Sequence, residues 1–301
     1  MKRFIVTGCN GYIGSHMCYE LKKHYPKCHI TGIDIVDKPK LHRLYDRYVQ
    51  MDLCSGAWNF YDEKFDAVFH FAAFISVPES QENPYSYYYN NLVGSMATLD
   101  AAIDLGIKNF IFSSTCAVYG DIYKEAHELM GIRPHSVYAK TKAAFEEVLF
   151  AAQKEKKINA AVLRYFNAAG RNREADLYEE HDPETHLIPN LMKTTEPTIY
   201  GTGNDVRDYI HVIDLCQAHI KAYEYLENTS ISFICNVGTG EGHTANEIVD
   251  IVSRVTGVKR NPKHVGERHG DVSYLVSDVK RMKKLLQFTP KYGIVDIIKS
   301  M

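Results

Sequence analysis

The 301-residue chain has seven cysteines but no Cys-X-X-Cys pair. Scattered thiols of this kind exclude a disulfide frame and a zinc knuckle, and they read as reduced cysteines. Charge of one sign is also missing: 35 Lys and Arg stand against 37 Asp and Glu, a net charge of −2. No broad basic surface is therefore available for nucleic acid or anionic lipid, and any anion must be held by a few placed groups. No apolar run approaches the roughly 18 residues that span a bilayer. The apolar part of the opening MKRFIVTG is too short for a secretion signal. His181, His186, His211 and His264 lack metal-ligand spacing, so no metal site is expected. Repeats, low-complexity tracts and long linkers are absent as well. A cytoplasmic protein with a core of its own is expected, with no membrane and no nucleic-acid partner.

What is present is a rhythm. RFIVTG, HITGID, FDAVFHFAA, NFIFSST and NAAVLRYFN read as short buried strands. Between them GYIGSHMCYELKKH, SYYYNNLVGSMATLDAAIDLG and SVYAKTKAAFEEVLFAAQKEK read as helices. This alternation predicts an α/β fold, a doubly wound parallel sheet with helices on both faces. After Asn167 the rhythm degrades into a polar stretch with Pro183, Pro189 and Pro197. DYIHVIDLCQAHIKAYEYL reads as a return to the main unit, and SFICNVG as a further strand. Thr244 followed by Glu247 predicts a capping box at the start of a late helix. The expected division is residues 1–167 with about 206–236 as a dinucleotide-binding (Rossmann) domain, and about 168–205 with 237–301 as a smaller substrate-binding domain.

Gly8, Gly11 and Gly14 follow the first strand and open the first helix in the spacing GxxGxxG. One glycine makes the tight turn, one admits the backbone to a pyrophosphate, and one lets helix pack on strand. The helix then offers its free N–H groups to phosphate. Asp34 ends the second strand, where a carboxylate accepts from both adenosine ribose hydroxyls and repels the extra phosphate of NADP. The expected cofactor is NAD. Asp52 is a further candidate, for the adenine, although Asp is also a common turn residue.

Ser113-Ser114-Thr115 ends a strand, and Tyr138 and Lys142 lie four apart at the start of a helix, on one face. A free phenol, with a pKa of about 10, is a poor base at neutral pH. An ammonium and a cationic nicotinamide nearby would favour the phenolate. The hydroxyl of Thr115 can donate to a substrate oxygen as its proton leaves. Tyr138, Lys142 and Thr115 are thus the candidate catalytic residues.

These segments, with NNLVGS, LRYFNAAG, HDPETHLIPN, RDYIHV, NVGTGEG and GDVSYLVSD, occur in one order over most of the chain. In this the sequence resembles the UDP-glucose 4-epimerase family of extended short-chain dehydrogenases. The resemblance implies transient oxidation at C4 of a UDP-sugar, with a homodimer built from helices near Tyr85–Leu105 and Val137–Ala152. It further implies cofactor contacts from Tyr12, Ile13, Leu53, Phe71, Ala72, Ala73, Asn90, Ser113 and Tyr165. For the substrate it implies Asn167, Arg207 and Arg268 on the diphosphate, Tyr200 and Asp271 at the uridine, and contacts from Leu187 and Tyr209. Leu275 falls at a position that gates sugar size in the family, and a residue smaller than tyrosine there implies room for N-acetyl sugars.

Two features depart from the family pattern. Ile75 stands where many members carry lysine, and the stretch from Pro189 to Arg207 is short. Both bear on the sugar rather than on the reaction. A dehydratase on the same scaffold would need acidic residues after Thr115, where this chain has Cys116 and Ala117.

Overall fold

The computed structural model describes residues 1–55, 57–60, 63–180, 184–267 and 272–301. Its frame is a seven-stranded sheet. Strands β1 (Arg3–Thr7), β2 (His29–Asp34), β3 (Arg47–Gln50), β4 (Ala67–His70), β5 (Asn109–Thr115) and β6 (Asn159–Tyr165) belong to it. Chain order then gives β7 (Asn167–Ala169), β8 (Thr198–Tyr200), β9 (Val206–His211) and β10 (Phe233–Val237), of which β10 completes the sheet. The strand order is β10-β6-β5-β4-β1-β2-β3, with every pairing parallel. Such strands are buried on both faces, which explains their nearly continuous apolar runs. Side chains alternate between two cores: Phe4 and Val6 enter one, and Ile5, between them, enters the other.

Helix α1 (Tyr12–His24) packs beside α7 (Val212–Thr229) on one face. On the other lie α2 (Val77–Glu82), α3 (Pro84–Tyr87), α4 (Gly94–Asp104) and α5 (Val137–Lys154). The order reverses between β1 and β4, so a crevice opens beyond the carboxyl ends of those two strands. The Gly8 turn follows β1, Phe71–Ala73 follows β4, Thr115 ends β5 and Tyr165 ends β6. Because the sheet is parallel, all four share one edge.

The helix read as continuous over 86–106 is not regular. Residues Tyr88–Val93 form a π-helical turn between α3 and α4. The wide turn buries Asn91, whose amide accepts from the Phe74 N–H (2.8 Å) and donates to the Phe74 carbonyl (2.9 Å). Such turns recur at functional sites, and this one carries Asn90. Strand β3 was not anticipated either; Arg47–Gln50 lies at the sheet edge and lacks the apolar run of the inner strands.

Strand β9 pairs with β7, with β11 (Gly242–Thr244) and with β13 (Tyr274–Leu275) in a second sheet. A two-stranded pair joins β8 to β12 (Lys263–Val265). Helices α6 (Leu187–Lys193), α8 (Ala245–Thr256) and α10 (Ile294–Ser300) pack around their own apolar cluster, which includes Leu191, Ile248 and Ile297. Helix α9 (Lys280–Leu286) packs on α7. The capping box at Thr244 and Glu247 forms as read: Glu247 N–H donates to the Thr244 hydroxyl (3.1 Å) and Thr244 N–H to the Glu247 carboxylate (2.8 Å).

Candidate active site

The glycine turn is set by contacts that admit no side chain. Gly8 has a φ of +68°, a region that glycine enters freely. A Cβ at Gly8 would lie 2.7 Å from the Ala72 nitrogen, and one at Gly14 would lie 2.0 Å from the Gly8 carbonyl oxygen. Both clashes are with backbone, so the turn, the start of α1 and the Phe71–Ala73 loop are packed to contact. Gly11 caps α1 with no side-chain hydrogen bond and no acidic residue follows in the first turn, so Tyr12, Ile13 and Gly14 present an anion-binding helix start. The Tyr12 hydroxyl donates to the Gly170 carbonyl (2.5 Å), tying this helix to the second sheet.

Asp34 closes the adenosine side. Its Oδ2 accepts from the Asn10 N–H (2.9 Å) and its Oδ1 from the Val36 N–H (3.0 Å), and each oxygen keeps a lone pair for a ribose hydroxyl. Burial pushes this carboxyl up while those N–H groups pull it down. The cradle and the carboxylate together fit NAD. Asp52 accepts from the Cys54 N–H (2.9 Å) and so shapes a turn. Leu53 packs partly buried against the apolar core on the α4 side. Phe71 lays its ring 4.9 Å from His219, and Asn90 donates to the Asn91 side chain (2.9 Å).

The chemistry gathers at the end of β5. The Thr115 hydroxyl accepts from the Ala117 N–H (3.2 Å) and lies near the Tyr138 phenol, which it draws toward ionisation. Burial outweighs it, and the phenol is held well above its ordinary value, with Tyr165 adding to the rise. Lys142 donates to the Ser113 carbonyl (2.9 Å) and lies over the Phe112 ring. Burial pushes the Lys142 ammonium down to about 7, opposed by the Glu146 carboxylate. The sequence-based expectation of a phenol lowered by its lysine is corrected here: desolvation dominates both groups when the site holds protein atoms alone. The Tyr165 phenol is raised by burial, with the nearby Ser113 hydroxyl opposing the rise.

A pH dependence follows from Lys142. Between about 7 and its ordinary value of 10.5 the unfolded chain holds a proton that the folded chain has released. Stability contributed by this group therefore rises with pH across that window. Chemical denaturation of the cofactor-free protein from pH 7 to 9 should show the rise, and Lys142→Met should flatten it; an unchanged slope would reject the burial argument.

Asn167, Arg207, Tyr209 and Leu275 of the substrate candidates lie on the second sheet. Asn167 donates to the Asp208 carbonyl (3.2 Å) and pairs in register with Tyr209. Burial pushes the Tyr209 phenol up to about 12, against the pull of Arg207. Arg207 and Leu275 are register partners, and Arg207 also acts on the Cys116 thiol, so this strand reaches the residue next to Thr115. Leu275 is buried with Cys116, Val118 and Phe166. Leu187 begins α6 and packs partly buried on its cluster, and Tyr200 is half-exposed at the end of β8. Arg268 and Asp271 lie outside the described residues, as does His181.

Sequence reasoning passed over three residues. Cys116 touches the Tyr138 environment, and its signal was adjacency to Thr115. Glu146 falls four residues after Lys142, the same spacing that singled out Lys142. Asp208, inside RDYIHV, is fully buried and holds two loops.

Residues 4–238 match the model of the NAD dependent epimerase/dehydratase family. The chain belongs to that family. A curated UDP-glucose 4-epimerase of Lactobacillus helveticus is 36% identical over 98% of this chain and 94% of its own. The structure of a UDP-glucose 4-epimerase from Brucella ovis in complex with NAD superposes with a TM-score of 0.92 at 32% identity, covering 100% of this chain and 97% of that one. That of a UDP-glucose-4-epimerase from Stenotrophomonas maltophila, with bound NAD and formylated UDP-arabinopyranose, gives 0.91 at 29% identity, covering 100% and 96%. In this epimerase/dehydratase no described helix is long and apolar enough to cross a membrane.

Proposed function

We propose that this protein inverts the 4-hydroxyl of a UDP-linked sugar by transient oxidation, with NAD as a resident cofactor. The observation that supports the reading best is the shared sheet edge: Tyr138 near Thr115, Lys142 on the Ser113 carbonyl, and the Gly8 turn. When bound, NAD would supply reversible hydride acceptance with no net redox change over a turnover. Gly8, Gly11 and Gly14 would seat its pyrophosphate, Asp34 its adenosine ribose, and Lys142 its nicotinamide ribose. The rest is the work of this chain. As the phenolate, which the Lys142 ammonium and a cationic nicotinamide would favour, Tyr138 takes the proton of the sugar hydroxyl, and it gives that proton back once the keto sugar has turned over. Thr115 donates to that oxygen in the interim. Arg207 and Asn167, with Arg268, hold the diphosphate, so the nucleotide stays anchored while the sugar is loosely held. In this reading the nucleotide-binding unit is 1–167 with about 206–236, and the sugar-nucleotide unit the remainder.

NMR of the purified protein with UDP-glucose, UDP-galactose, UDP-xylose and UDP-N-acetylglucosamine, without added NAD, tests it. New 4-epimer signals are expected from at least one hexose. Reaction only on the non-acetylated sugars would reject the room assigned to Leu275, and silence from all four would reject the reading.

A homodimer and a cytoplasmic location belong to the same reading. Tyr85, Tyr88, Tyr89, Val93 and Met96 leave an exposed apolar face from α3 to α4 that a second copy could cover. Sedimentation should give twice the chain mass, and a single-chain mass would refute the dimer.

A further inference from the structure

The polar group behind Lys142 has no part in the roles assigned so far. Glu146 and Arg164 are both almost fully buried, with side chains 4% exposed. Arg164 grips the carboxylate with two nitrogens: Nη2 to Oε2 at 2.5 Å, and Nε to Oε1 and Oε2 at 3.0 and 3.2 Å. The Ser114 hydroxyl donates to Oε1 at 2.5 Å. Arg164 in turn lies over the Tyr119 ring, and Ser114 and Arg164 are register partners in β5 and β6. A buried ion pair is weak ground for stability, since an apolar pair of the same volume does as well or better. Its presence one turn beyond Lys142 calls for another reason.

We propose that Glu146 and Arg164 are positioning residues for the reaction: the carboxylate keeps the Lys142 ammonium charged and seated on the Ser113 carbonyl, and the guanidinium keeps that carboxylate aimed. The inference rests on the catalytic reading of Tyr138 and Lys142 given above. Lys142 shares its helix face with Tyr138 and Glu146, each four residues away in α5, and meets Phe112 and the Ser113 carbonyl from β5 and His70 from β4. His70 contributes no charge: burial, with Lys142 adding to it, holds the imidazole down at about 3, and both ring nitrogens are engaged by Thr7 and Ser95. Tyr138 is a neutral phenol there. Arg164 reaches Lys142 through Glu146. The charge that governs the ammonium is therefore Glu146, which favours it; Arg164 is neutralised by that carboxylate, and would oppose the ammonium once the carboxylate charge is gone. Removing the carboxylate charge alone should do double damage, withdrawing an attraction and exposing a repulsion.

The test is titration of Lys142 by NMR in 13C-lysine-labelled full-length protein, assigned with Lys142→Arg, which needs neither substrate nor turnover. Glu146→Gln should lower the midpoint by about one to two pH units. Glu146→Asp, which keeps the charge, should restore it. Glu146→Gln with Arg164→Met should fall between wild type and the single variant, because the repulsion is gone. A wild-type midpoint in Glu146→Gln, or equal drops in the single and double variants, would overturn the proposal. Should the single variant not fold, the double still decides, since a midpoint equal to wild type rejects the role of the carboxylate. With UDP-sugar as substrate, the alkaline limb of the kcat profile should move with each midpoint, and a purely structural pair would lower stability and leave that limb in place. A wild-type protein without activity would sink the functional reading and leave the titration to judge this one.

Discussion

Tyr138→Phe should lower turnover by roughly two to four orders of magnitude, the range expected when a positioned proton carrier is lost. The fold should be unaffected. The ring is buried among protein atoms that phenylalanine also fills, and Thr115 retains the Ala117 N–H as partner when the phenol oxygen goes. Cofactor content should be unchanged, because the glycine turn and Asp34 lie on other strands. The effect should fall on kcat and leave KM for the UDP-sugar nearly as it was, since the lost group handles a proton and does not hold the nucleotide. Thr115→Val probes the same step from the other side. It removes the hydroxyl that draws the phenol toward ionisation, so a smaller loss is expected. Steady-state kinetics with cofactor retention measured on the same samples checks both. A Tyr138→Phe enzyme within a few-fold of wild type would remove the phenol from the mechanism.

The parts of this site that are local in sequence could be read from it. A glycine turn needs only a strand before and a helix after, and Tyr138 and Lys142 share a face by helix geometry alone. Glu146 obeys the same arithmetic, and could have been singled out as a third member of the Tyr138–Lys142 face. Its guanidinium could not, because Arg164 reaches it only through the register of β5 against β6. The ionisation of the site was misjudged for a related reason. Charge–charge spacing is visible along a helix, but the burial that pushes Tyr138 up and Lys142 down comes from segments distant in sequence that the sheet brings to it. Strand β3 and the π-helical turn at Tyr88–Val93 escaped detection because tertiary contacts make them: an edge pairing with β2 in one case, the Asn91–Phe74 bonds in the other. The approach of Arg207 and Leu275 to Cys116 likewise depends on β9 meeting β13.

Asp208 marks the place where the second sheet is fastened to the first, and Asp208→Ala should cost roughly 3–5 kcal/mol. Its carboxylate is fully buried and accepts five hydrogen bonds. Oδ1 takes the Thr239 N–H (2.9 Å) and hydroxyl (2.6 Å), and Oδ2 takes the Gly240 N–H (3.0 Å) and the Ser277 N–H (3.2 Å) and hydroxyl (2.5 Å). Thr239 and Gly240 follow β10 of the main sheet, Ser277 follows β13, and Asp208 itself sits on β9, so one side chain joins three segments. Truncation strands all five donors away from water, and each stranded donor costs about 1–3 kcal/mol before the structure relaxes. Asp208→Asn should be only partly tolerated. Either way the amide is placed, its NH2 meets donors that need an acceptor. The loss is large against a total stability of about 5–15 kcal/mol. It should also weaken UDP-sugar binding at temperatures where the protein remains folded, since Arg207 and the Leu275 strand are held by the same pairing. Urea denaturation with calorimetric titration of UDP on each variant checks both expectations. A destabilisation below about 1 kcal/mol would mean that the loops close without this carboxylate, and that the sheet pairing alone carries the junction.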